Sequence, residues 1–354
     1  MSNELIYFGS FLLFIIAMLS LDLGVFNKKD HEVSLKEALI MSIIWVSLAL
    51  GFYTAIYFKG DLLHGITDMT RLQEVVKAHK HNISLIPDNF EASLDLYRQN
   101  LSLEFITGYV VEYALSVDNI FVIVLIFTAF GVEKKLYHRV LFWGILGAII
   151  MRFFFIFVGA TLIAKFGWIL YLFGAFLVYT GVMMFINRDH DDEIDPQNHK
   201  VVRWAQKVFA VWPHYEGNHF FVHKHGKNMV TPLFIVLLVI EFTDLIFAVD
   251  SIPAIFAVTK DPYIVFFSNI FAILGLRSMF FLLVNIIHKF HYLKIGLSFL
   301  LVFIGVKMLA HNYLQTIGFT TSHSLIIILS ILSISVIASL MFPKKEKEEV
   351  VKQH

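Results

Sequence analysis

Apolar residues run through this chain in blocks about twenty long, divided by short polar breaks and by two longer polar stretches. Nine blocks stand out, at 5–26, 38–58, 104–130, 140–163, 167–187, 230–257, 263–286, 292–311 and 323–342. A helix rising ~1.5 Å per residue needs ~20 residues to cross a hydrocarbon core of ~30 Å. The pattern therefore predicts an all-α, polytopic membrane protein with about nine transmembrane helices, the whole chain 1–354 forming one transmembrane domain. The polar stretch 59–103 mixes in apolar residues and predicts short amphipathic helices that cap or interrupt the bundle. The second, 188–229, holds His190, His199, His214, His219, His223 and His225, which lack metal-ligand spacing and read as ordinary loop histidines.

Composition strengthens the membrane reading. The chain is 58% hydrophobic and only 16% charged, against roughly 25% charged residues in a soluble domain. Mean hydropathy is +0.72. A net charge of zero gives no field for nucleic acid, so the expected partner is the lipid bilayer. With no cysteine, disulfides, thiolate metal sites and Fe–S clusters are excluded. The start, Met1-Ser2-Asn3-Glu4, lacks a basic n-region, and the first block reads as an uncleaved transmembrane helix. Lys28, Lys29, Lys134, Lys135, Arg139, Arg203 and Lys207 share one side with the tail lysines, which predicts an outside N-terminus and a cytoplasmic C-terminus.

The chemistry lies in ionisable residues at membrane depth, where each charge costs at least ~2.5 kcal/mol without a partner, cavity or ligand. The acids are Asp22, Glu112, Asp118, Glu241, Asp244 and Asp250, and the bases are Arg152, Arg277 and Lys307. Six acids against three bases call for protons or a cation to neutralise the excess. The acids also repeat. Glu112-Tyr-Ala-Leu-Ser-Val-Asp118-Asn119-Ile120 parallels Asp244-Leu-Ile-Phe-Ala-Val-Asp250-Ser251-Ile252, and Ile145-Leu-Gly147 with Arg152 parallels Ile273-Leu-Gly275 with Arg277. Units at about 104–187 and 230–311 begin three helices apart, so the third and sixth segments are predicted to run antiparallel, as in an inverted-topology repeat.

On a straight helix Glu112 and Asp118 lie about 120° apart, so either the helix unwinds between them or one of each pair lines the site. Glu241 and Asp244 share a face. Pro253 removes a backbone hydrogen bond and predicts a break nearby. Carboxylates, the Asn119 amide and the Ser251 hydroxyl are hard oxygen donors that suit Mg²⁺, Ca²⁺ or Mn²⁺. Clustered acids can also carry protons. Arg152 and Arg277 are expected to balance charge and orient carboxylates. Gly167, Gly174 and Gly181, spaced by seven, give one smooth face for close helix packing.

Longer motifs sharpen the reading: Leu21-Asp22-Leu-Gly24-Val-Phe26, Phe105-Ile-Thr-Gly108-Tyr, Ser116-Val-Asp118-Asn119-Ile-Phe121 and Thr231-Pro232-Leu. Phe247-Ala-Val-Asp250-Ser-Ile-Pro253-Ala, Ser268-Asn269 and Ala272-Ile-Leu-Gly275-Leu-Arg277 complete the set. In these the chain resembles the TerC/Alx family of bacterial membrane proteins. The resemblance implies metal-ion homeostasis in the bacterial cytoplasmic (inner) membrane, chiefly Mn²⁺ efflux, with ties to tellurite resistance and alkaline stress. It implies Mn²⁺ as transported ion rather than resident cofactor, and site residues Asp22, Glu112, Asp118, Asn119, Glu241, Asp244, Asp250 and Ser251. The alternative is a non-transporting membrane scaffold or redox-stress accessory protein for tellurium resistance. An enzyme is not expected, since Gly-x-Gly-Asp and H-E-x-x-H motifs are absent.

Overall fold

A computed structural model describes residues 3–26, 33–187, 199–224, 226–284 and 292–342. Its helices in chain order are α1 (Asn3–Phe26), α2 (Leu35–Lys59), α3 (Asp61–His64), α4 (Met69–Ala78), α5 (Phe90–Ala129), α6 (Lys134–Lys165) and α7 (Ile169–Ile186). After α8 (Lys200–Val208), strands β1 (Phe221–Lys224) and β2 (Lys227–Val230) form an antiparallel hairpin. Then follow α9 (Pro232–Phe256), α10 (Pro262–Leu283), α11 (Leu293–Leu309), α12 (His311–Thr316) and α13 (Thr321–Met341).

The fold is an all-α polytopic membrane protein. Each of the nine apolar blocks falls on a helix, and among the described residues seven helices are long and apolar enough to cross a membrane. The other two blocks lie on α1, whose apolar part is Glu4–Ser20, and on α11, which has 17 residues. Leucines and isoleucines of α1, α2, α7 and α13 stand exposed, as a lipid-facing rim requires, while α10 is buried along its length.

The stretch 59–103 is shorter as a loop than its composition suggests. Asn89 caps α5 by accepting a hydrogen bond from Ala92 N at 3.0 Å, so the helix begins at Phe90 rather than near 104. Its 40 residues reach about 60 Å, and the first turns stand clear of the apolar segment. The expected amphipathic helix is α4, which buries Leu72 and Val75 and is capped by Asp68.

Contacts fix the relative direction of the acidic helices. Going down α5, Thr259 donates to Glu104, Arg152 bridges Glu112 and Ser251, and Tyr215 Oη donates to Phe130 O. The partners fall in descending order, so α5 and α9 run antiparallel, as predicted. The ring pairs Phe157–Tyr263 and Phe153–Phe266 do the same for α6 and α10. On α7 and α11, Gly174 meets Gly305 and Gly181 meets Ser298, again in reverse order. A Cβ at Gly174 would lie 3.0 Å from Gly305 O and one at Gly181 2.7 Å from Ser298 O, so these glycines permit close packing. Gly167 does not share this role: it precedes α7 and a Cβ there would touch nothing within 4 Å.

Candidate functional site

Within the bundle, Glu112 on α5 is fully buried, and Arg152 on α6 is 1% exposed. Arg152 Nη1 donates to Glu112 Oε1 and, at 3.2 Å, to Ser251 Oγ on α9. Its Nη2 stands 3.9 Å from Asp244 Oδ1. Asn269 on α10 donates to Glu112 Oε2 at 3.1 Å. Four helices therefore meet at one guanidinium and two carboxylates. Polar capacity remains, since Asp244 Oδ2, Asn269 Oδ1 and Arg152 Nε are buried without a hydrogen-bond partner among the described residues. Such groups are costly in apolar surroundings and receptive to a ligand.

The remaining acids lie around this centre. Glu241 folds against α6, where a Cβ at Gly147 would come within 2.0 Å of its Oε1, and it lies within electrostatic range of Asp244. Thr180 on α7 donates to Asp250 Oδ1 at 3.3 Å, and Asp118 lies within electrostatic range of Asp250. Asn119 is buried on α5. The structure thus divides the predicted set into a Glu112–Asp244–Ser251 centre with Glu241 alongside, and an Asp118–Asp250 pair. Asp22 lies on α1, but its side chain falls outside the described residues, as do His190 and His225. A cleft of ≈ 370 Å³ including its mouth runs between Ile123, Leu141, Gly144, Ala148 and Leu276 down to Asp244. It approaches from the end where α5 finishes and α6 begins.

Two expectations change. Neither α5 nor α9 is broken: α5 is helical through Glu112 to Asp118, and α9 continues through Pro253. An unbroken helix turns the two carboxylates to different sides, which is why the acids separate into two groups. Arg152 is the base at the Glu112 centre; Arg277 is also buried, on α10 past Asn269, between the levels of Glu112 and Phe127. Lys307 does not balance the acids of the centre. It lines a separate cavity at the other end of the bundle with Lys80, Lys260, His311 and Glu104.

That end carries a polar cluster that sequence reading missed. His64 is 1% exposed; its Nε2 meets Asp261 Oδ2 at 2.8 Å and its Nδ1 meets Glu4 Oε1 at 3.0 Å. Burial works to lower the His64 pKa, but Asp261 and Glu4 outweigh it and hold it up at about 9. Burial would raise Asp261, yet His64 keeps its carboxyl well below the usual range. His79 is pulled down by burial; His81 is net raised, burial being outweighed by Glu104, whose Oε1 meets its Nδ1 at 3.0 Å. Lys260 is lowered to about 7 by burial and by nearby Lys307. These residues are scattered from Glu4 to Asp261, so no spacing advertised them. The available signals were Asp261 immediately before Pro262, a helix start, and the close grouping of His64, His79 and His81.

The decisive comparison is with protein families: the model described as "Integral membrane protein TerC family" matches residues 97–347. The chain belongs to the TerC family. A Myxococcus xanthus relative, the uncharacterized membrane protein STKORF319, is 44% identical over 94% of this chain and 91% of its own length. A Salmonella typhi relative, provisionally named membrane-bound redox modulator Alx, is 42% identical over 86% of this chain and 85% of its own. The Escherichia coli K12 protein of the same name is 41% identical over 86% of each chain. No solved structure matches the chain. The TerC match covers both acidic helices and the Arg152 helix between them.

Proposed function

We propose that this TerC protein exports a hard divalent cation, Mn²⁺ foremost, through the acidic core between α5 and α9, in exchange for protons. The observation that carries the reading is a core in which buried Arg152 faces two carboxylates, buried Glu112 and half-buried Asp244, with three further half-buried acids on the same two acidic helices. Arg152 meets Glu112 and Asp244, Glu241 lies within electrostatic range of Asp244, and Asp118 lies within range of Asp250. The unpartnered Asp244 Oδ2 and Asn269 Oδ1 supply hard oxygen donors. A narrow cleft lined by Asp244 marks one side of this centre. The three antiparallel helix pairs suit an inverted repeat that alternates access about a midplane site. In this reading the protein sits in a bacterial cytoplasmic membrane with its N-terminus outside, and the cleft opens to the cytoplasm.

Sealed vesicles tested with Mn²⁺, Mg²⁺, Ca²⁺ and Zn²⁺ while pH is monitored should show Mn²⁺ movement coupled to protons. Asp118→Asn and Asp250→Asn should abolish it and raise cell-associated manganese. Unchanged export by both variants at normal protein levels would sink the reading.

A second reading rests on the name of the Alx relatives: an accessory role in redox stress without transport. This sequence offers no thiol for such chemistry. The role would have to lie in a partner contact, so exchanging segment 188–229 would then cost more stress tolerance than neutralising the core acids.

A further inference from the structure

The cluster opposite the Asp244 cleft has the composition of a metal site. One donor atom from each of His64, His79 and Asp261 lies within 4.8 Å of the other two. Two imidazole nitrogens and a carboxylate oxygen suit borderline ions better than the all-oxygen donors of the core. The chain builds this corner from three closures. His64 ends α3 and His79 is the C-cap of α4, each followed by a residue in the left-handed region, Gly65 at φ 59° and Lys80 at φ 52°. Both turns close with the same hydrogen bonds, Ile66 N to Asp61 O and His81 N to Val76 O. Asp261 caps α10, its Oδ1 accepting from Tyr263 N while its Oδ2 faces His64.

Two independent features point to a ligand. His81 buries an Nε2 with no hydrogen-bond partner among the described residues, and its ring centroid lies 5.9 Å from that of His79. Its other nitrogen is held by Glu104, and Glu4 holds the outer nitrogen of His64. Carboxylates placed behind imidazoles in this way fix tautomer and ring orientation in metal sites. We propose that His64, His79 and Asp261 bind a borderline divalent transition ion of the Zn²⁺ class, with His81 as the fourth ligand. Donors of a tetrahedral ion stand about 3.4 Å apart, so drawing in His64, His79 and Asp261 needs a movement on the order of 1 Å, and His81, outside that group of three, must swing further. The ion takes the place of the His64–Asp261 hydrogen bond while Glu4 keeps its hold on the other ring nitrogen. The site lies apart from the core acids, so it stands or falls independently of the transport reading.

The test uses the full chain in detergent, stripped with chelator and titrated with Co²⁺, then with Zn²⁺. The expected result is a visible band of a tetrahedral nitrogen–oxygen site that saturates at one Co²⁺ per chain and is displaced by Zn²⁺. His79→Ala should lower Co²⁺ affinity at least tenfold, and Glu133→Gln, on the exposed surface away from the cluster, should leave the spectrum unchanged. The His79 ring makes no hydrogen bond among the described residues, so its removal is expected to spare the fold, and the unfolding midpoint of the variant checks this. A wild-type protein without the Co²⁺ band, or a folded His79→Ala protein that binds as tightly as wild type, overturns the proposal.

Discussion

Replacing Glu112 by Gln keeps the side-chain shape and removes one buried negative charge beside Arg152. Removing one partner of a buried pair usually costs about 3–5 kcal/mol, because the other charge is left uncompensated. Here the guanidinium retains a second acid, Asp244, at 3.9 Å. At an effective dielectric constant of about 20, two charges at that separation attract by about 4 kcal/mol before desolvation is counted. Glu112→Gln is therefore expected to cost about 2–3 kcal/mol, below the usual range. Arg152→Met strips the cation from two carboxylates at once and should cost the full 3–5 kcal/mol, about as much as any buried pair loses. The double variant removes both members of the closest pair and should show a coupling of about 2 kcal/mol. Reversible unfolding in SDS, followed by far-ultraviolet circular dichroism, measures all four corners of the cycle. A Glu112→Gln cost equal to that of Arg152→Met, or a coupling under about 0.5 kcal/mol, would refute the shared-arginine geometry.

Gly147→Ala would set a methyl group within 2.0 Å of the Glu241 carboxylate, whose flexible end can swing away. Vesicle transport should fall at least tenfold while the unfolding midpoint stays near wild type; the reverse outcome would show Gly147 to be a packing position. Lys80 holds a left-handed conformation at φ 52° that suits glycine better, so Lys80→Gly should raise stability by about 1 kcal/mol in SDS unfolding. For chelator-treated protein, the raised His64 pKa sets a pH limb. Its contribution is complete below the unfolded value of 6.5 and is lost as pH rises through about 9. A rise from 6.5 to about 9, at 1.36 kcal/mol per pH unit, amounts to about 3 kcal/mol, and His64→Gln should flatten the stability profile between those values.

The apolar blocks located the helices because twenty-residue runs are what a bilayer selects, and the acid motifs fall on α5 and α9, whose Glu112 and Asp244 meet Arg152. The direction of α5 against α9 was also legible, since an odd number of crossings inverts a helix. Helix ends outside the bilayer were less so. Residues 90–103 carry Glu91, Asp95, Arg98 and Asn100, which read as loop by hydropathy although they continue α5. Pro253 promised a break and produced none, because a lost hydrogen bond within a packed helix leaves its axis to be held by its neighbours. Lys307 was counted with the core acids on depth alone, and the fold turns it toward Lys260 and His311 instead. The His64–Asp261 contact joins residues 197 apart, and only the antiparallel return of α9 brings them together.

The Arg152–Glu112 bond also bears on how the chain is made. Its two residues are 40 positions apart, on consecutive helices joined by a short turn. As synthesis proceeds, α5 and α6 can leave the translocation channel as one hairpin in which the acid already has its counter-ion. A lone Glu112 or Arg152 would each face an insertion cost of about 2.5 kcal/mol or more. Asp244, arriving later on α9, meets a guanidinium already in place, so the order of assembly is written into which acid the arginine reaches first.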